Sequence, residues 1–439
     1  MSAPTVDQIL AGKYPAKQHA RNVASRLHSL YPEITNGLIL LSSQKTVILE
    51  DTDQECPFRQ RRHFFYLSGC NLADSIVTYD MRTEKLTLYI PPINVEDVIW
   101  SGLPESSEEA LEKYDVDEVK TTPVPPTELA ERTVFAYPTG TPNPHSAALK
   151  NAIDELRAKK DFYEVALIKK ANDISALAHH ACLRAVKTAK NERELLALFL
   201  QVCIANGAPT QAYDGIFASG TAAATLHYVR NDQPLAGKQL LLLDAGCELR
   251  NYASDVTRTF PISGTFTTEA EQIYRLVLQM QTACLAAIRP GVLWERIHAL
   301  AHDVAIDGLR ALGILVGTPA DLLAARASIA FFPHGLGHYL GLDTHDTAGN
   351  PVANEKDEMY KYLRKRGELA EGDVITVEPG IYFCKFIVEL YVADPKRRKW
   401  VNMDVVEKFW DVGGVRIEGL SFLFLSLRGW LINGRGGGR

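Results

Sequence analysis

Apolar positions keep two different rhythms along this chain, and the change between them divides it. In the first part, short runs at Gly37–Leu41, Thr46–Leu49 and Lys85–Ile90 read as strands with helical stretches between them, a mixed α/β pattern. Pro123, Pro125, Pro126, Pro138, Pro142 and Pro144 then crowd a single passage. Proline clusters mark loops and linkers, so the expected boundary separates a domain over 1–150 from one over 151–439.

Beyond that passage the helical period dominates. Asp161 with Glu164 has capping-box spacing, and Val165, Ile168 and Leu177 belong to the amphipathic helix it opens. Asn191 with Glu194 repeats the signature ahead of LLALFLQV, which stops near Gly207. Thr268 with Glu271 opens a third helix that ends before Pro290 and Gly291. Strands are expected at Gln239–Leu243, Ser254–Phe260, Val374–Val377 and Gly414–Ile417. The fold class read from this pattern is α+β, with a smaller α/β domain at the N-terminus.

Composition adds exclusions. With 439 residues, 46% apolar and 23% charged, the chain can bury a full core in two or three domains. The net charge of −6 is mild and no Lys/Arg-rich run stands out, which argues against a nucleic-acid partner. The opening MSAPTVDQILAGKYPAKQ lacks the charged and apolar regions of a secretory signal, and Leu420–Leu427 is too short to span a bilayer. A cytoplasmic protein with no membrane partner is expected. Cys56, Cys70, Cys182, Cys203, Cys247, Cys284 and Cys384 are odd in number and form no CxxC, which fits reduced thiols packed as small hydrophobes.

Five acidic or imidazole side chains stand at or beside strand ends. Asp244 follows LLLL, Asp255 lies in SDVTRTF, His338 in HGLGHYLGLDTHD, Glu378 in VITVEPG and Glu418 in GVRIE. Each alone has a bland reading, the Asp as a turn residue or helix cap and the His as a hydrogen-bonded loop residue. Four carboxylates gathered at one rim would repel one another, and divalent cations remove that cost. An oxygen-rich set with a single imidazole suits Mn²⁺ or Co²⁺ better than structural zinc. His298 and His302 also have metal-binding spacing on a helix, but the HExxH glutamate is missing, so an ordinary exposed helix face is expected there.

The order D…D…HGLGH…EPG…RIE resembles the pita-bread metallopeptidases, and within them the proline-specific branch of prolidases and Xaa-Pro aminopeptidases. The resemblance runs from FRQRRHFFYLSG to RIE. It implies a creatinase-like N-terminal domain and a pita-bread (creatinase/aminopeptidase-like) catalytic domain whose halves are related by a pseudo-twofold. It also implies two Mn²⁺ per subunit, with Co²⁺ or Zn²⁺ as alternatives, and hydrolysis of the bond between an N-terminal residue and a penultimate proline. Residue by residue, Asp244 would chelate one cation, Asp255 and Glu418 would bridge both, and His338 and Glu378 would bind the second. A metal-bridging hydroxide is the implied nucleophile and Glu378 the implied proton shuttle. His227 in TLHYVRND and His345 in LDTHD match positions that contact substrate and stabilise the oxyanion. His334 is not an expected ligand; it touches substrate or simply shapes the glycine loop. Arg364 would clamp a substrate carboxylate, unless it is a solvated charge of KYLRKRGE, and Arg416 would steady the bridging carboxylates from behind. Short proline-containing peptides and a homodimer are the partners the resemblance implies.

Two departures qualify it. The chain after Glu418 reads GLSFLFLSLRGWLINGRGGGR instead of an acidic residue, a strand and a short tail, so 419–439 is atypical. The strand carrying Glu418 is therefore expected to be weakly supported, and SFLFLSL is an aggregation hazard. Leu390 stands where such relatives often have proline. Three other readings stay open: a strict Xaa-Pro dipeptidase, favoured by Arg364; a non-catalytic pita-bread binding module, opposed by the full ligand set; and a methionine aminopeptidase, opposed by the N-terminal domain.

Overall fold

The computed structural model describes residues 4–138 and 143–423, which form two compact units dividing between Arg157 and Ala158. In the N-terminal unit, β1 (Gly37–Ser42), β2 (Ile76–Asp80), β3 (Lys85–Ile90), β4 (Glu118–Thr121) and β5 (Thr133–Tyr137) form one sheet in the order β4-β3-β2-β1-β5. The central strands are antiparallel, while β4 and β5 join the edges in parallel. Helix α1 (Ala16–Leu30) buries Ala16, Ala20, Val23 and Leu27, spaced three and four apart as a helix stripe requires. The run Thr46–Leu49 is not a strand: only Ile48 bridges to Glu55, and Val47, Ile48 and Leu49 stay exposed with no sheet to cover them.

The second unit opens with α2 (Phe162–Ala185). Asp161 and Glu164 cap it reciprocally, each side chain accepting from the other's backbone N–H. Helix α3 (Glu192–Ala205) is capped by Asn191 through Arg193 N, so the expected box with Glu194 does not close; Glu194 accepts from Lys190 N instead. These helices cover two three-stranded sheets. One has the order β11 (Thr257–Pro261), β8 (Leu240–Asp244), β7 (Ile216–Ser219), and the other β10 (Tyr252–Ala253), β9 (Cys247–Leu249), β6 (Thr210–Gln211). Leu240 to Leu243 are buried on both faces, which explains the unbroken apolar run of β8.

Helices α4 (Thr268–Ala287) and α5 (Trp294–Ala311) cover the remaining strands, with Trp294 and Ile297 packed among Ile273, Val277, Ile375 and Val415. Each fully buried residue of this kind contributes about 1.5–3 kcal/mol. The cap of α4 is Thr267, one position before the expected residue. Strands β12 (Val374–Val377) and β15 (Gly419–Phe422) pair antiparallel, as do β13 (Gly380–Tyr382) and β14 (Gly414–Arg416). Val377 faces Gly419 and Gly380 faces Arg416, so these are two parts of one ladder. It is interrupted on one side at Glu378 and Pro379 and on the other at Ile417 and Glu418. The strand carrying Glu418 is thus paired on both sides of the ligand position, and Leu423 N bonds Asp373 O at 3.0 Å. The weak support expected there is not seen; the tail after Leu423 lies outside the described residues.

Candidate metal centre

Asp244 ends β8, where its register partners are Thr257 and Ile216. Asp255 lies between β10 and β11, two residues before Thr257, so both acids sit at the same end of the antiparallel β8–β11 pair. Gly246 and Gly337 hold the surrounding backbone close. A Cβ at Gly246 would lie 2.0 Å from Ser254 O, and one at Gly337 2.0 Å from Thr376 O, distances that only glycine tolerates. His338 is pinned from both sides by Thr376, whose hydroxyl accepts from His338 N at 3.0 Å and whose N–H donates to His338 O at 2.9 Å. Its Nδ1 meets Tyr339 O at 3.0 Å, which leaves Nε2 facing the acids.

There the five groups converge. His338 Nε2 lies 3.5 Å from Asp255 Oδ2 and 3.4 Å from Glu378 Oε1. Asp255, His338 and Glu418, all buried, each offer one ligand atom within 4.8 Å of the others. The Tyr213 hydroxyl joins Asp244 to Asp255, 2.6 Å from Oδ1 of the first and 2.7 Å from Oδ1 of the second. Glu418 Oε2 accepts from Thr257 Oγ1 at 2.8 Å, while its Oε1 is buried with no hydrogen-bond partner.

So many acidic groups buried together raise the cost of ionising them. Burial, then the charges of Glu418 and Asp244, pushes Glu378 up to about 8, against the pull of His338 and Arg416. Burial and neighbouring carboxylates likewise raise Asp255 and Glu418 well above the carboxylate range. An orphaned carboxylate oxygen, an imidazole aimed inward and carboxyl groups starved of countercharge are what divalent cations satisfy. This donor set fits them.

Around the centre, Arg416 spends its guanidinium on three acceptors: Asp244 Oδ2 at 2.5 Å, Tyr382 Oη at 2.8 Å and Thr257 Oγ1 at 3.1 Å. His334 Nε2 meets the Tyr382 hydroxyl at 2.9 Å and makes no contact with the acid cluster among its hydrogen bonds. Burial and the Arg416 charge push His334 down to about 3, so its ring is neutral. His345 stands edge-on to His338, ring centroids 4.4 Å apart. His227 and Arg364 are exposed; His227 lies within electrostatic reach of His334 and His345, and the Arg364 charge bears on His345.

Tyr213, Thr257, Thr376 and Tyr382 escaped the sequence reading, since an isolated Tyr or Thr carries no spacing signal. His298 and His302 are corrected in the other direction. Both are fully buried, not exposed, with His298 Nε2 on Met359 O at 2.7 Å and His302 Nδ1 on Ser328 Oγ at 2.8 Å. They lie apart from the acid cluster. All seven cysteines are free, and five of them are buried.

The family model described as "Metallopeptidase family M24" matches residues 166–421, and that described as "Aminopeptidase P, N-terminal domain" matches residues 19–133. A probable Xaa-Pro aminopeptidase of Tuber melanosporum is 59% identical over 424 residues, 95% of this chain and 93% of its own. One from Botryotinia fuckeliana is 55% identical, covering 95% and 93%. Aminopeptidase PepP of Pseudomonas aeruginosa superposes with a TM-score of 0.75 at 28% identity, over 94% of this chain and 93% of that one. Aminopeptidase P from E. coli with the inhibitor Pro-Leu shares the fold, with a TM-score of 0.74 at 24% identity over 94% of each chain. The expected pita-bread domain with a smaller N-terminal α/β domain is therefore the fold.

Proposed function

The chain belongs to metallopeptidase family M24, and from that premise we propose that it is a dinuclear-metal Xaa-Pro aminopeptidase, releasing an N-terminal residue from ahead of a penultimate proline. The observation that carries this reading is the meeting of Asp255, His338 and Glu418 within coordination reach, with Asp244 tied in through Tyr213 and Glu378 beside His338. The names of the fungal relatives and the aminopeptidase P type of the N-terminal match support an aminopeptidase.

Asp244, Asp255, His338, Glu378 and Glu418 would hold two Mn²⁺, or Co²⁺ or Zn²⁺ in their place. When bound, such a pair supplies Lewis acidity toward the scissile carbonyl and makes water acidic near neutrality. Glu378 is the residue suited to carry a proton from attacking water to the leaving prolyl nitrogen. His227 and His345 donate toward the carbonyl oxygen as it gains charge, a donor of that kind being worth about 10²–10³ in rate. His334, neutral and held by Tyr382, lines the substrate side. Arg416 keeps Asp244 in place. The reading extends to short proline-containing peptides as substrates and to a cytoplasmic homodimer.

Chelation followed by return of Mn²⁺, Co²⁺ or Zn²⁺, repeated on Asp255→Asn, tests the assignment. The variant should lose both bound metal and turnover; full activity in it would sink the reading. Arg364, exposed and near His345, favours a second reading as a strict Xaa-Pro dipeptidase. Cleavage of Gly-Pro but not of a Xaa-Pro-Xaa tripeptide would decide for it.

A further inference from the structure

A carboxylate away from the acid cluster has an unusual set of partners. Glu192, the first residue of α3, is fully buried and accepts four hydrogen bonds. Ser219 donates twice to Oε1, from its backbone at 2.9 Å and its hydroxyl at 2.5 Å. Tyr228 Oη donates to Oε2 at 2.8 Å and Gln233 N at 2.9 Å. Ser219 ends β7, beside the strand that carries Asp244. Tyr228 and Gln233 lie on the returning limb of the segment that leaves β7, and His227 stands next to Tyr228. One carboxylate therefore ties the start of this segment to its middle and its end.

Neighbouring contacts share the task. Asn191 Nδ2 donates to Asp232 O at 2.9 Å, and Lys238 Nζ to the Ser219 hydroxyl at 2.9 Å. Asn231 accepts from Phe217 N and donates to Gly215 O, both at 2.8 Å. The Tyr228 ring packs with Ile216, Leu242 and Tyr382, and Tyr382 is the residue that meets Arg416 and His334. His227 is turned out to solvent from this segment, as are Thr221, Thr225, Val229 and Arg230.

We infer that Glu192 is a positioning residue for His227: its buried carboxylate clamps both limbs of the 219–233 segment, so that the imidazole is held at the rim of the metal centre. This rests on the reading of His227 as a substrate-contacting group. Four donors converge on two oxygens, so an amide in their place turns an N–H toward groups that themselves donate, and at least one bond is lost.

The test uses the full chain with Glu192→Gln, Glu192→Asp, Tyr228→Phe, His227→Ala and the double variant Glu192→Gln/His227→Ala. Amide exchange over 219–233 in the metal-free protein should be about 10-fold faster in Glu192→Gln, with bound Mn²⁺ stoichiometry unchanged. On a Xaa-Pro-Xaa tripeptide, Glu192→Gln should lose about 10- to 100-fold, as residues that orient a functional group commonly do. The loss should divide between kcat and KM as it does for His227→Ala. The double variant should be no worse than His227→Ala alone, because the two act as one unit. Tyr228→Phe, which removes a single hydroxyl, should move the same way by less, and Glu192→Asp should recover part of the activity. Multiplying losses in the double variant, or unchanged exchange over 219–233, would overturn the inference. A wild-type chain that binds Mn²⁺ but cuts no Xaa-Pro bond would instead defeat the functional reading, with exchange still judging the clamp.

Discussion

Arg416 Nη2 stands 2.5 Å from Asp244 Oδ2, and both residues are buried. With Nη1 on Tyr382 and Nε on Thr257, the planar fork leaves Asp244 little freedom to turn. Replacing Arg416 by Lys keeps a charge but supplies a point, not a fork. Mn²⁺ affinity of Arg416→Lys, measured by calorimetric titration, should fall about 10- to 100-fold. Affinity within about twofold of wild type would show that Asp244 needs no such support.

Glu378 predicts a pH effect on the chelated protein. Its carboxyl is raised from 4.5 to about 8 by burial and by Glu418 and Asp244, so the folded chain holds a proton that the unfolded chain has released between those values. The stabilisation is complete below 4.5 and is lost as pH rises through 8. The buried imidazoles of His179 and His298, pushed down to about 4, are neutral in both states above 7. The raised carboxyls of Asp255 and Glu418 and the Cys247 thiol, lowered to about 7, add slopes of their own, so the Glu378 share is read by difference. From pH 7 to 8, urea-denaturation stability of the chelated protein should fall with a limiting slope of about 1.4 kcal/mol per pH unit for this one proton. Glu378→Gln should lose that part of the slope; an identical slope would mean that other groups release the proton.

Lys160 and Asp346 form a second buried pair, Nζ to Oδ2 at 2.8 Å with both side chains 1% exposed. Asp346 follows His345, and its backbone N–H bonds Tyr339 O, so the pair fixes the loop that follows His338. Removing Lys160 takes from the buried Asp346 carboxylate the cation that faces it. Lys160→Met should cost about 3–5 kcal/mol in stability, read as a lower denaturation midpoint. A shift worth less than about 1 kcal/mol would show that water or another cation takes its place.

Arg364 offers a test of substrate length. If its guanidinium holds the free carboxylate of a short substrate, Arg364→Ala should raise KM for Gly-Pro by about 10-fold or more, with a smaller effect on longer Xaa-Pro peptides whose carboxylate lies elsewhere. Equal changes for both substrates would return Arg364 to the solvated surface where its exposure puts it.

The acids of the centre were legible because each sits in a short fixed motif at a strand end, and strand ends survive changes of packing. Tyr213 and Thr257 were not legible, because their roles exist only once β6–β7 and β11 bring them to the acids. His298 and His302 show a misread period. Trp294, Ile297, Ala301 and Ala305 form the buried stripe of α5, and the two histidines continue it at the same spacing. Two polar rings suggested solvent, whereas inside the protein Met359 O meets His298 Nε2 and Ser328 Oγ meets His302 Nδ1, with His298 Nδ1 left without a hydrogen-bond partner. The run Thr46–Leu49 failed for the opposite reason, an apolar pattern with no adjacent strand to complete it.

The interrupted ladder has a topological consequence. Glu378 and Glu418 face each other across one break in pairing, and everything from Phe383 to Gly413 is an excursion that leaves and returns through a neck made of that break and the three β13–β14 rungs beyond it. Cations seated there would fasten the neck shut, independently of how the excursion is routed. New chain ends could be opened near Lys399, exposed just after the short helix Pro395–Arg398, without separating the two acids. A circular permutant cut at that point would keep its Mn²⁺ capacity if the neck alone holds the acids together, and lose it if the excursion does.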